Sequence, residues 1–323
     1  MLKEVLHMNP ETMYRATRIP SALGIVDVVL DTDAYNEVDD QYAIAYLLLL
    51  KNKFNTIGFT AAPFFNALST SPEDGMNKSY DEILHILDLM GREDLKSHVY
   101  RGSTRWLPDE KTPVESDAAR YLVEEARNHS PESPLHIIAI GAITNVASAI
   151  LMDRSAMVNN TVITWLGGHG FHYSHTGEFN MRQDIPASRV LLDAGVNLTL
   201  IPCEGVASEL RTTEPELRHW IKGQNALGDY LYEHTVEAAE KKHAGEPWSR
   251  VIWDVAAVAA LRDRGSCRFV KSRMETTPDL RDDFLYAPNE NKHPLRYVFK
   301  INRDEIFNEL FRLIREMGKE ETK

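Results

Sequence analysis

The sequence predicts an α/β fold: a Rossmann-like, mainly parallel sheet flanked by helices, with a helical annex in the C-terminal third. Three observations carry this. Short β-branched apolar runs alternate with longer helical patterns, the signature of successive βαβ units. The runs are nearly continuous in apolar character, as strands covered on both faces require. No Pro/Gly/Ser-rich linker divides the 323 residues, so a single domain is expected over 1–323, with its body at about 25–317.

Strands are expected in turn at Ile25–Leu30, Thr56–Ala61, His136–Ile140, Val162–Leu166 and Asn197–Ile201. Between them, helical periodicity marks Asp40–Lys51, Asn77–Met90, Glu115–Asn128, Thr144–Met152 and Ser188–Ala194. After Pro202 the pattern turns mostly helical. A strand-like run, Arg296–Ile301, then precedes an amphipathic helix from Arg303 to Met317 and a tail, Gly318–Lys323, expected to fray. Ligands of such a sheet collect outside the carboxyl ends of its strands, which directs attention to the loops starting at Asp31, Ala62, Gly141, Gly167 and Pro202.

The net charge of −12, with no concentrated Lys/Arg cluster, argues against a nucleic-acid partner and favours a neutral or weakly charged small molecule. The longest apolar run, around Ala43 to Leu50, is too short to span a bilayer. Residues Met1 to Ile19 lack an apolar signal-peptide core. Two cysteines, Cys203 and Cys267, provide no disulfide framework. A cytoplasmic protein is the expectation.

From Ile19 to Leu50 there is no Lys or Arg, yet the segment holds Asp27, Asp31, Asp33, Glu37, Asp39 and Asp40. Asp31 and Asp33 end a buried strand, and Asp39 and Asp40 open the next helix. Carboxylates crowded in this way raise one another's pKa unless a cation is present. A hard cation such as Ca²⁺, which accepts six to eight oxygen ligands, is the simplest remedy. The competing reading is helix capping, with Asn36 as N-cap and Asp39 three residues on; it accounts poorly for Asp31 and Asp33.

The segment Asp31-Thr32-Asp33 … Asp39-Asp40 resembles the D-T-D-P-G-x-D-D signature of nucleoside hydrolases, without the Pro-Gly and with two extra residues before the paired aspartates. Further matches follow in order. The run Ile140-Gly141-Ala142-Ile143-Thr144-Asn145 is similar to the family's strand–G-P-L-T-N turn. Gly167-Gly168-His169 … Glu178-Phe179-Asn180 … Asp184 is similar to its G-G-G … E-F-N-x-x-x-D element, and Trp253-Asp254 to its H-D or W-D pair. The likeness runs from about Ile25 to about Met317.

The resemblance implies hydrolysis of the N-glycosidic bond of ribonucleosides by a Ca²⁺-bound water. Asp33, Asp40, the Ile140 carbonyl and Asp254 would hold the ion, Asp33 would take the water's proton, and Asp31 behind them would orient its neighbours. Asp39, Asn66, Glu178, Asn180 and Asp254 would hold the substrate. Trp253, where pyrimidine-tolerant members carry a His, implies purine preference by stacking, and Phe64 or Phe65 could complete a sandwich around the base. Indole is no general acid, so the leaving group's proton donor is left among His169, His172 and His175. Three histidines in one loop also raise a transition-metal site, for which the partner spacing is lacking. An Asn that the family places a few residues before Glu178 is missing, with His172 or Ser174 nearest its position. A dimer or tetramer is implied by the family. Two other readings stand beside this one: a nucleoside-binding relative without turnover, and a DxD Mg²⁺-dependent phosphatase, which would keep its second acidic pair far downstream.

Overall fold

The apolar run VDVVLDT forms β1 (Val26–Thr32), buried from Val28 onward. The computed structural model describes residues 24–263 and 265–320, so the N-terminal stretch 1–19 and the end of the tail lie outside it. Around β1 an eight-stranded sheet is built in the order β3 (Val99–Arg101), β2 (Phe54–Ala61), β1, β4 (Leu135–Ala139), β5 (Thr161–Leu166), β6 (Asn197–Ile201), β12 (Pro294–Ile301) and β9 (Val270–Thr276). All neighbours are parallel except β12 and β9. The strand order reverses between β1 and β4: the chain first winds outward through β2 and β3, then crosses to build the other half. That reversal opens a crevice at the carboxyl edge.

Helices cover both faces. Alternation along β1 sends Val28 and Leu30 into one apolar cluster and Val29 into the other. The first cluster is completed by α1 (Asp40–Leu49), α2 (Pro72–Leu89), α8 (Glu214–Trp220), α9 (Ala226–His243), α10 (Val255–Asp263) and α11 (Arg303–Glu320). The second takes in α3 (Asp117–Asn128), α4 (Thr144–Met152), α5 (Arg154–Asn160), α6 (Phe179–Gln183) and α7 (Ile185–Asp193). α1 is apolar on every side and buried along almost its whole length, as a helix enclosed by others must be. Its tyrosines reach polar partners at their tips: the Tyr42 hydroxyl donates to the Leu231 carbonyl at 3.1 Å, and that of Tyr46 to Glu309 Oε2 at 2.7 Å.

The differences from expectation have local causes. α2 begins at Pro72 rather than Asn77, because Ser71 caps it and proline is tolerated in a first turn. α7 likewise begins at Ile185 rather than Ser188, capped by Asp184 ahead of Pro186. The segment after Pro202 is less helical than expected. It holds β9 and two ribbons, β7 (Arg211–Thr212) with β8 (Arg250–Val251) and β10 (Asp279–Leu280) with β11 (Tyr286–Ala287). α11 continues to Glu320, past the point where fraying was expected. No helix among the described residues is long and apolar enough to cross a membrane.

Candidate active site

Asp31 and Thr60 are register partners on β1 and β2, and the strand geometry turns their side chains toward each other. Asp31 Oδ1 accepts from the Thr60 hydroxyl at 2.6 Å and from Asn145 Nδ2 at 2.8 Å, the latter at the start of α4. Asp31 is therefore tied beneath the strand ends and lines no part of the cavity above them. Burial pushes its carboxyl up to about 6, with the two hydrogen bonds opposing.

Asp33 lies just beyond β1, and neither of its carboxylate oxygens has a hydrogen-bond partner although both are buried. It packs over the turn after β4, where a Cβ added to Gly141 would come within 3.0 Å of the Asp33 carboxyl carbon. The loop onward is held by Asn36 N–H donating to the Asp33 carbonyl at 2.8 Å and by Gln41 Nε2 donating to the Ala34 carbonyl at 2.7 Å. Asp39 precedes α1 but makes no side-chain capping bond, and the Asn36 amide oxygen is taken by Asn66 Nδ2 at 2.6 Å. The capping explanation of this acidic segment thus does not hold.

Instead, Asp39 Oδ2 accepts from the Trp253 backbone N–H at 3.1 Å, and Asp40 Oδ1 accepts from the Thr32 hydroxyl. Asp39, Asp40 and Asp254 each offer an oxygen within 4.8 Å of the others; among the described residues no other three His, Cys, Asp or Glu side chains converge so closely. Burial, then the charges of Asp40 and Asp39, hold the Asp33 carboxyl well above the usual range. Burial and neighbouring aspartates act likewise on Asp39 and Asp254, while Asp40 is pushed up to about 6 by burial against the opposing Thr32 and Asp254 hydrogen bonds. Buried carboxylate oxygens without donors, crowded against like charge, fit a hard divalent cation.

Glu178 and Asn180 open α6, and both are turned inward and buried. Glu178 accepts from the backbone N–H of Gly168 at 2.9 Å, Asn180 at 2.9 Å and Met181 at 3.0 Å. Gly168 sits at φ +71°, a left-handed conformation that suits glycine. Asn180 Nδ2 donates to the carbonyls of Ile140 at 2.9 Å and Leu166 at 3.1 Å, leaving each carbonyl a second lone pair.

These groups surround a cavity of about 360 Å³ that Asp33, Asp39, Asp40, Ile140, Asp254, Glu178, Asn180, Asn66, Trp253 and His169 all line. His172 and His175 do not line it and are exposed, as is Ser174. The expected aromatic sandwich is not formed: Phe64 is sealed in the interior, and Phe65 points outward, 54% exposed. Phe179 lines the cavity in their place. Sequence reasoning also missed Arg182, Cys203 and Glu204 in the lining, and Thr32, Thr60 and Asn145 as supports. Asn145 had a signal, since it belongs to the Thr-Asn turn after β4.

The sequence model of the inosine-uridine preferring nucleoside hydrolases matches residues 28–308. A probable uridine nucleosidase of Arabidopsis thaliana is 23% identical over 229 residues, covering 63% of this chain and 67% of the relative. Among solved structures, a plant nucleoside hydrolase aligns with a TM-score of 0.72 at 18% identity, over 90% of this chain and 99% of its own. A purine-preferring ribonucleoside hydrolase from Gardnerella vaginalis aligns with a TM-score of 0.71 at 19% identity, over 91% and 99%. The structural likenesses establish the fold, and the match over most of the chain establishes the lineage: this chain belongs to the inosine-uridine preferring nucleoside hydrolase family.

Proposed function

We propose that the cavity at the carboxyl edge of β1 and β4 hydrolyses the N-glycosidic bond of ribonucleosides, purine nucleosides in preference, with calcium as its metal. The observation that carries this is Asp33, whose two buried oxygens are unused by the protein beside Asp39, Asp40 and Asp254. Asp39, Asp40 and Asp254, whose oxygens converge within 4.8 Å, would hold the ion together with Asp33 and the free lone pair of the Ile140 carbonyl beside them. When bound, calcium supplies a template for ribose hydroxyls and water and a modest acidification of that water.

The chain's own groups do the rest. Asp33 takes the proton of the attacking water at its carboxylate. Asp39, Glu178 and Asn180 hold ribose hydroxyls while an oxocarbenium-like sugar develops. Trp253 offers its indole face to the base. Of the three loop histidines, His169 is the one at the cavity, and burial lowers its pKa. Its Nδ1 accepts from the Glu204 N–H at 3.4 Å, which would leave the Nε2–H as the donor to the leaving group.

A base-release assay on inosine, adenosine and uridine, with calcium and after exhaustive chelation, tests this reading. Release is expected with calcium only, and inosine is expected to exceed uridine. Full turnover without calcium would overturn the metal's role, and faster uridine cleavage would overturn the purine preference.

A further inference from the structure

A second cavity, about 520 Å³, adjoins the first. Asn36, Glu37 and Asn66 line both. They are cross-tied: Asn66 donates to Asn36, and Arg250 on β8 is ion-paired with Glu37. Loop 34–38, longer than the Pro-Gly turn it stands in for, thus forms a partition between two chambers.

The outer chamber differs in character from the carboxylate-rich inner one. Tyr35 and Leu68 line it, 40% and 49% exposed, beside Ala238. Cations come from Lys241 and Lys242 near the end of α9 and from Arg250. Lys241 pairs with Glu237 at 2.7 Å, whereas Lys242 makes no ion pair with any described residue. The Arg250 side chain is 15% exposed and its Glu37 partner 46%. Arg250 Nε is buried and its N–H donates to no partner among the described residues, so the guanidinium is held in place while the more exposed glutamate is the exchangeable member of the pair. Glu37 and Glu237 line the chamber as well, paired with Arg250 and Lys241, so Lys242 supplies its one unpaired charge among the described residues, a positive one in a chain of net charge −12.

We propose that the outer chamber is a subsite for a substituent on the leaving base, and that its substrates are ribonucleosides whose base carries a side chain ending in a carboxylate. This rests on the hydrolase reading above, with the base held near Trp253 and Asn66, next to the shared partition. The substituent's carbon portion lies along Tyr35 and Leu68. Its carboxylate reaches Lys242 and the Arg250 guanidinium, taking the place of Glu37.

Three ligands test this on the calcium-loaded full chain: adenosine, adenosine with a dicarboxyethyl group on its exocyclic amine, and adenosine with a benzyl group there. Both kcat/KM for base release and Kd by calorimetry are measured. The acidic ligand is expected to be favoured over the benzyl one by about fivefold, a ratio that falls with added salt. Lys242→Glu should abolish the ratio, and Glu37→Gln, which frees Arg250, should raise it. A benzyl ligand equal or better in the wild type would make this an apolar recess only and overturn the proposal, as would a ratio unmoved by both variants. If no ligand releases base, the hydrolase reading fails, and the ratio of Kd values still decides the subsite.

Discussion

Asp33 presents two carboxylate oxygens that no donor among the described residues reaches and that burial screens from water. A side chain placed at that cost is placed for a ligand or a proton. Replacing it, Asp33→Ala, is expected to lower kcat/KM for base release about a thousandfold, with circular dichroism unchanged. Asn145 makes a contrasting case, since its amide joins Asp31 to the Ala61 carbonyl and accepts from the Ser103 N–H at 2.7 Å. Asn145→Ala leaves these groups unsatisfied, and urea unfolding is expected to register a loss of about 1–3 kcal/mol. The acidic residues were legible in the sequence because they crowd one short segment. Thr60 as a support was not, because its role depends on which strand lies beside β1 and in which register, and Asn145 was visible only as part of the Thr-Asn turn, not as the partner of Asp31. The opposite fates of Phe64 and Phe65 turn on the path of one loop, and no side-chain chemistry distinguishes them.

At the scale of elements, α1 matters most. Its first residue is Asp40, and its remaining length is interior, packed against α10, which follows Asp254, and against α11. Its packing against α10 therefore helps hold Asp40 and Asp254 relative to each other, alongside the Thr32 bond to Asp40 and the hydrogen bond between the two carboxyls. Leu47→Ala, at a position with no solvent exposure, is expected to cost about 2–5 kcal/mol in denaturant unfolding. The central strands and α1 were readable because continuous apolar runs have few other outcomes. β9 was not: VKSRMET buries little beyond Val270, and an edge strand of that composition is specified by its partner β12 rather than by its own pattern. The short helix α6 was hidden for a related reason, since it is set by the Glu178 cap.

For the whole molecule, the cluster makes stability depend on pH when no cation is bound. The carboxyls of Asp31 and Asp40 stand at about 6 in the folded chain, and those of Asp33, Asp39 and Asp254 are raised as well. Their unfolded values lie near the ordinary 3.8. Between these limits the folded state binds more protons than the unfolded one, so its stability falls as pH rises. The chelated protein is expected to melt at lower temperature at pH 7 than at pH 5, and added calcium is expected to raise the Tm more at pH 7. A chelated Tm that climbs over this window would contradict the assignment.

The enclosure of α1 has one more consequence, and it concerns motion. A helix with no solvent-facing side cannot detach by itself, so opening it requires parting the α10 and α11 layer from the sheet. Its amide hydrogens should then exchange with solvent only through global unfolding, at protection matching the full unfolding free energy, while those of the 34–38 loop exchange by local fluctuation. In native-state exchange, calcium should slow the α1 amides by the same free energy it adds to the whole protein. The anchor of the acidic cluster and the last structure to unfold would then be the same ten residues.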